Sequence, residues 1–431
     1  MKHSAKRSSI AAAAAALAAA LLGLHSSGAV AAGADCANPP KATHTISPDV
    51  YANIDKATKA LGEKKYGEAI GKLNDVADKG GDYDKAVVQY NLGVAYSEKG
   101  DYGSGARAFA KALSYNALPP KQAEQLKYNL GQLYVAASEF EEGIKVLRDY
   151  IATACGPVTP EAHMFLANAL GERKEYADAL KEIDVAMAQA KAPKESWLQF
   201  RLGIAYEVKE YKECADTLMK LIAMSPQKDE YWKQLSGVVY QMNDPTQAAA
   251  VLALAEREGL LEKSGDVMNL YNIYMAGNEP YKAGVLVQKA MDQGQLPKNE
   301  DSLNAVANAW INARESDKAE TTLKTLASMS DKGEYYYRLG GMYGDGERWK
   351  ESREMLEKAL DKGGLKRPGD AYFRIAVADY SMNDYKSAIA ALRKAAGYDE
   401  TRKQANEWLH HLTTQQAPEA ASAEPPADKK S

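Results

Sequence analysis

The chain has 431 residues, with 54 Lys and Arg against 58 Asp and Glu and a formal net charge of −4. That length can bury a large core or build an extended array. The near-balance of charge supplies no basic field, so nucleic acid is not an expected partner.

Residues 1–34 read as a signal peptide. Lys2, Lys6 and Arg7 form a positive start, Ile10 to Leu24 an apolar run, and small residues follow at Ala29, Ala31, Ala32 and Ala34. The run is shorter than the ~20 residues a spanning helix needs. Cleavage is therefore expected between Ala31 and Ala34, with no membrane span in the exported chain. Asp35 stands where lipoprotein processing at Cys36 would want a small residue. Residues 35–49 hold Pro39, Pro40 and Pro48 and predict an extended arm.

From residue 50 to residue 400 the sequence repeats itself. "YNLGVAYSEKGDY" begins at Tyr90 and "YNLGQLYVAASEF" at Tyr128. Each unit reads as a helix with a small residue near its middle, a polar turn, and a second helix of small-x3-large form. The first small column is Ala57, Gly93, Gly131, Ala167, Gly203, Ser236, Tyr271, Ala307, Gly340 and Ala376, broken only at Tyr271. The second is Ala69, Gly105, Gly143, Ala179, Cys214, Ala248, Ala283, Ala319, Ser352 and Ala388. Four positions later comes a large apolar residue, as at Leu73, Phe109 and Leu147. Small residues let antiparallel helices approach closely. The large residue lies one turn along the same face and fills the gap. One unit cannot bury its apolar face alone, whereas stacked units can. Gly or Asn in turns such as "EKGDY" and "SMNDY" can end a helix in the left-handed conformation.

These columns resemble the tetratricopeptide repeat, with its Trp-x2-Leu-Gly-x2-Tyr first helix. "WKQLSGVV" supplies Trp232, Leu235 and Ser236, "RLGIAY" Leu202, Gly203 and Tyr206, and "RLGGMY" Leu339, Gly340 and Tyr343. The resemblance implies an all-α, right-handed superhelical solenoid of about ten helix pairs over residues 50–400. Residues 401–412, with Trp408, Leu409 and Leu412, read as a C-terminal capping helix. Residues 413–431, rich in Ala, Pro, Glu and Lys, read as a disordered tail.

Three positions before the first small column stand Tyr90, Tyr128, Phe200, Tyr337 and Phe373. The resemblance implies that this column lines the inner, concave surface and takes a partner segment. Asn91 and Asn129 follow at a position that contacts ligand backbone in peptide-binding members. A carboxylate clamp of Lys, Asn and Arg is broken in the first three units, where Ile54, Thr58, Gln125 and Asn129 occupy its places.

Of three cysteines, Cys214 falls in the small core column, which leaves Cys36 and Cys155 as the candidate disulfide in an exported chain. Catalytic and metal chemistry finds little to build on. His410 and His411 are adjacent and point apart on a helix, unlike a chelating i, i+4 pair. "YGDGERW" lacks the spacing of a calcium loop. No enzyme, cofactor or metal site is expected.

The expected role is an exported, periplasmic scaffold for protein–protein interaction. Its layout resembles the periplasmic tetratricopeptide proteins that accompany TonB–ExbB–ExbD systems, which implies TonB, ExbB or ExbD components or other envelope proteins as partners. The alternatives are a scaffold for envelope assembly or secretion machinery, and a carbohydrate or peptidoglycan enzyme with a helical-repeat body. Oligomeric state is not legible.

Overall fold

The polar turns and twin helical periods resolve, in a computed structural model that describes residues 45–421, into helices joined by short turns, with no strand among the described residues. The expected signal peptide, Cys36 and residues 422–431 lie outside them. The chain divides into two compact units at Pro226 and Gln227.

The first unit holds five helix pairs. They are α1 (Pro48–Gly62) with α2 (Tyr66–Asn74), α3 (Asp82–Lys99) with α4 (Tyr102–Ser114), α5 (Pro120–Ala136) with α6 (Phe140–Thr153), α7 (Pro160–Glu172) with α8 (Tyr176–Gln189), and α9 (Glu195–Glu207) with α10 (Tyr211–Met224). The second unit holds five more and a final helix. They are α11 (Asp229–Gln241) with α12 (Pro245–Arg257), α13 (Ser264–Ala276) with α14 (Pro280–Asp292), α15 (Glu300–Asn312) with α16 (Ser316–Met329), α17 (Gly333–Asp345) with α18 (Trp349–Lys362), α19 (Pro368–Ser381) with α20 (Tyr385–Ala395), and lastly α21 (Arg402–Ala421). Within each unit every helix packs on the next, and α1 also meets α3, α5 meets α7 and α17 meets α19. The first helices of successive pairs therefore crowd along one side, the inner face.

The small columns are the joints of the pairs. A Cβ on Gly131 would stand 2.6 Å from Leu147, and one on Gly340 2.6 Å from Leu356. The large side chain of the second helix thus sits over the first helix's glycine. Leu73, Leu147, Ile183, Leu218, Val287 and Leu392 of the large column are all fully buried, each contributing about 1.5–3 kcal/mol relative to exposure. Tyr271 fits because it too is buried, with its hydroxyl donating to the Ala305 carbonyl at 3.1 Å.

Each pair turns on one left-handed residue, seven positions after the small residue of the first helix. Gly100 is the only glycine among them. Asn243, Asn278 and Asn383 share the role with Lys64, Ser138, Lys174, Lys209, Arg314 and Glu347, with φ between 57° and 64°. At Asp101, Asp244 and Asp384 the next residue caps the second helix, accepting from the backbone N–H three residues on.

This turn corrects the register of the fifth pair. Counting seven back from Lys209 gives Leu202, which also stands the same twelve residues before Cys214 that separate Gly93 from Gly105 and Ala167 from Ala179. Gly203 is exposed, and so is Tyr206, while Ala205 is fully buried. The "RLGIAY" match is therefore shifted by one residue. Arg201 takes the buried Leu position of the repeat. Its charge is held there by Asp184 at 2.8 Å and Glu213 at 2.7 Å, with Thr217 Oγ1 accepting at 2.6 Å. Paired this way, a guanidinium can replace an apolar side chain in the core.

Two boundaries also move. The first helix begins at Pro48, whose missing N–H costs nothing at a helix start. Ser47 before it donates from its backbone N–H and hydroxyl to Asp84, at 2.8 and 2.7 Å. At the other end α21 runs on to Ala421, past the expected end at Leu412. The expected cap is present. Trp408 meets Phe373 and Tyr380 edge-on at 5.7 and 5.6 Å, and Leu412 is buried.

Candidate protein-binding face

The inner-face rings expected to be free for a partner are instead joints between helices. Tyr90 is half-buried and stacks on Phe109 at 5.7 Å. Tyr128 lies against Tyr150 at 5.2 Å and Phe165 at 6.2 Å, and burial pushes its phenol up to about 12. Tyr337 donates its hydroxyl to Asp370 at 2.5 Å. Phe373 is buried against Trp408. In the corrected register Phe200 leaves the column, and exposed Gln199 takes its place. The Phe200 ring packs toward α7, with Cζ 3.4 Å from where a Cβ on Gly171 would be. The amides are tied to their own helices. Asn91 donates to the Val87 carbonyl at 2.8 Å, and Asn129 accepts from Gln125 at 3.1 Å.

Cys214 is free and fully buried, its Sγ 4.0 Å from the Leu202 carbonyl, and burial pushes its thiol up. Cys155 is disulfide-bonded. Cys36, its expected partner, lies outside the described residues. His163 is buried on α7 with Nδ1 2.7 Å from Glu182 Oε2, while His410 and His411 are exposed. Among the described residues no three His, Cys, Asp or Glu side chains cluster to hold a metal ion, and no helix is long and apolar enough to cross a membrane.

The polar groups that do converge are in the second unit, on α15, α17 and α19. Arg338 occupies the position that Asn91 and Asn129 hold in the second and third pairs, and Arg374 holds it in the tenth. Arg338 Nη1 donates to Asn304 Oδ1 and Nη2 to Asn308 Oδ1, both at 2.6 Å. Desolvation of the half-buried guanidinium pulls its pKa down. Arg374 donates through Nε to Asp370 at 2.7 Å, and its Nη1 stands 3.6 Å from where a Cβ on Gly341 would be. Gly340, Gly344, Asp345, Asp370 and Arg374 are among the residues lining an adjoining cavity of about 350 Å³. Following the Asn91 position down all ten units would have reached both arginines.

Tetratricopeptide-repeat family models match residues 86–117, 128–195 and 369–402. These segments are tetratricopeptide repeats. They span the joints at Gly93, Gly131 and Ala376, and the same small-and-large joint recurs between them at Ser236, Ala307 and Gly340. Of solved structures, MamA from Desulfovibrio magneticus RS-1 is 16% identical, with 43% of this chain and 99% of that chain covered and a TM-score of 0.36. A tetratricopeptide repeat protein from Parabacteroides merdae is 11% identical, with 60% and 99% covered and a TM-score of 0.31. The Cut9–Hcn1 hetero-tetramer of APC/C is 13% identical, with 84% of each chain covered and a TM-score of 0.29. No curated protein is significantly similar in sequence. The tetratricopeptide repeats make the chain a scaffold for protein–protein interaction.

Proposed function

We propose that this scaffold works outside the cytoplasm, in the periplasm, as an accessory of a TonB-type system that drives uptake through the outer membrane. The observation that carries the scaffold reading is the recurrence of one helix-pair joint in eight of the ten pairs, with Leu202 and Tyr271 as the exceptions, which sets equivalent first-helix positions side by side along each unit. The exported location is supported by the signal-peptide layout of residues 1–34. The TonB assignment is supported by organisation: a signal-like start followed by repeats that fill nearly all the rest of the chain.

The test uses the full chain, tagged at its C-terminus, in its native host. Cells are fractionated, then crosslinked, and proteins captured with the chain are identified by mass spectrometry. Recovery in the periplasm with TonB, ExbB or ExbD enriched is the expected result. Retention in the cytoplasm would sink the exported reading. Enrichment of envelope-assembly or secretion components instead would replace the TonB assignment with the alternative scaffold role.

A further inference from the structure

The second helix of the seventh pair carries an apolar ridge on its outward side. Tyr281 and Val285 stand one turn apart on α14 and are 50% and 43% exposed. Tyr281 lies two residues before the small Ala283, and Val285 two after it. At both places the other nine second helices carry Gly, Ala, Thr, Asp, Glu, Lys or Arg. Single exposed apolar residues are ordinary, but an adjacent pair confined to one repeat marks an interaction face. Cavities flank the ridge on both sides. One of about 730 Å³ lies toward α16 and one of about 260 Å³ toward α12 and α13, and Val285 and Lys289 line both. Those two residues are therefore the crest between two grooves. The ridge is also braced. Gly284 leaves α14 bare for the Trp310 indole, which a Cβ there would meet at 2.7 Å. Tyr281 meets that indole edge-on at 5.6 Å, and Lys318 Nζ stands 4.6 Å from the Tyr281 ring and 4.7 Å from the Trp310 ring. A ridge held in this way loses little freedom on docking.

We propose that the outward side of α14 is a self-association face, on which a second copy of this chain packs its own α14 antiparallel across a two-fold axis. A ridge beside a groove is self-complementary under that symmetry, because each copy's ridge enters the other's groove. The larger groove, toward α16, takes the ridge. Charge is complementary in the same arrangement. The crest residues Val285 and Lys289 centre on Val287, and Lys282 and Asp292 stand five residues to either side of it. An antiparallel pairing about that centre sets Lys282 opposite Asp292 of the second copy, twice. Asp292 accepts from the neutral Gln288 amide at 3.0 Å, which leaves its charge for a cation. Val285 lies against the methylene stem of the second copy's Lys289, whose ammonium stays on Glu256 at 2.7 Å. The 13 residues of α14 span about 20 Å. So short a face suits a dimer that forms at micromolar concentration, not a permanent one.

The test is sedimentation equilibrium of the full chain, purified from its host, from about 1 to about 100 μM. A monomer–dimer equilibrium is expected. Val285→Glu should weaken it at least about tenfold, with circular dichroism unchanged. Val185→Glu, at an exposed position of α8 in the first unit, should leave it intact. Lys282→Asp and Asp292→Lys should each weaken the dimer, and the double swap should restore it, as the antiparallel register requires. A wild type that stays monomeric throughout, a dimer that survives Val285→Glu, or a double swap no tighter than the single ones overturns the proposal. So does a monomeric chain that captures another protein only while Val285 is in place, because the ridge would then serve a foreign partner. Neither the exported location nor the TonB assignment enters this test, so those readings stand or fall separately.

Discussion

The ring of Phe109 fills the space that any side chain at Gly93 would need. A Cβ added to Gly93 would lie 2.2 Å from Phe109 Cδ1, far inside the ~3.5 Å of an ordinary carbon contact. Gly93→Ala should therefore cost about 1–3 kcal/mol by overpacking. In an array of nearest-neighbour joints the damage stays local. Hydrogen exchange should rise in α3, α4 and α5 and stay unchanged in the second unit. Unaltered protection in α3 and α4 would contradict this packing.

The left-handed turns give a paired test of opposite sign. Gly100 has φ 87° and Glu347 φ 59°. A side chain in that region costs about 1–2 kcal/mol, so Gly100→Ala should destabilise by about that much. Glu347→Gly removes the same penalty but adds about 0.5–1 kcal/mol of unfolded-state freedom. The net expectation is a gain of about 0.5 kcal/mol. Urea unfolding with unchanged m-values reads both, and a loss at Glu347→Gly would show that the turn is not strained there.

Tyr128 is braced by Tyr150 and Phe165, so truncation removes packing before it removes any partner contact. Tyr128→Ala should lower stability by about 2 kcal/mol, less than for a fully buried ring. Thermal melting in the absence of any partner is the measurement. A melting temperature equal to wild type would return the ring to the set of free binding groups.

Glu320 predicts a response to acid. Its carboxylate accepts from Arg348 Nη1 at 2.6 Å, Lys324 at 2.7 Å and the Tyr343 hydroxyl at 2.9 Å. Those partners, Arg348 first, pull its pKa from the ordinary 4.5 down to about 2. A depressed folded-state pKa gives stability that is present above about 4.5 and is lost as pH falls toward about 2. Melting temperatures measured across that window should fall more steeply for wild type than for Glu320→Gln. Parallel curves would mean that the cluster adds no linked stability.

The repeat was legible because its cause is short-range. A small residue, a large one four positions after the next small one, and a turn of fixed length all lie within one unit, and packing repeats them with only Leu202 and Tyr271 departing at the first small position. The fifth pair was misread because "RLGIAY" satisfies the motif one residue out of register. The twelve-residue spacing from Leu202 to Cys214 points to the other register, and Asp184 and Glu213 supply the physical reason an arginine can stand at its leucine position.

What the amino-acid order settled by itself, then, is the architecture of each pair: which residues are joints, where the turns lie, and that Cys214 is core. It could not say which inner-face groups are free, because an aromatic at a given column meets solvent or the next helix according to how the neighbouring pair docks. Tertiary packing turned Tyr90 and Tyr128 into braces and moved Phe200 out of its column. The same packing brought Asn304 and Asn308, some thirty residues away in sequence, onto both arms of Arg338.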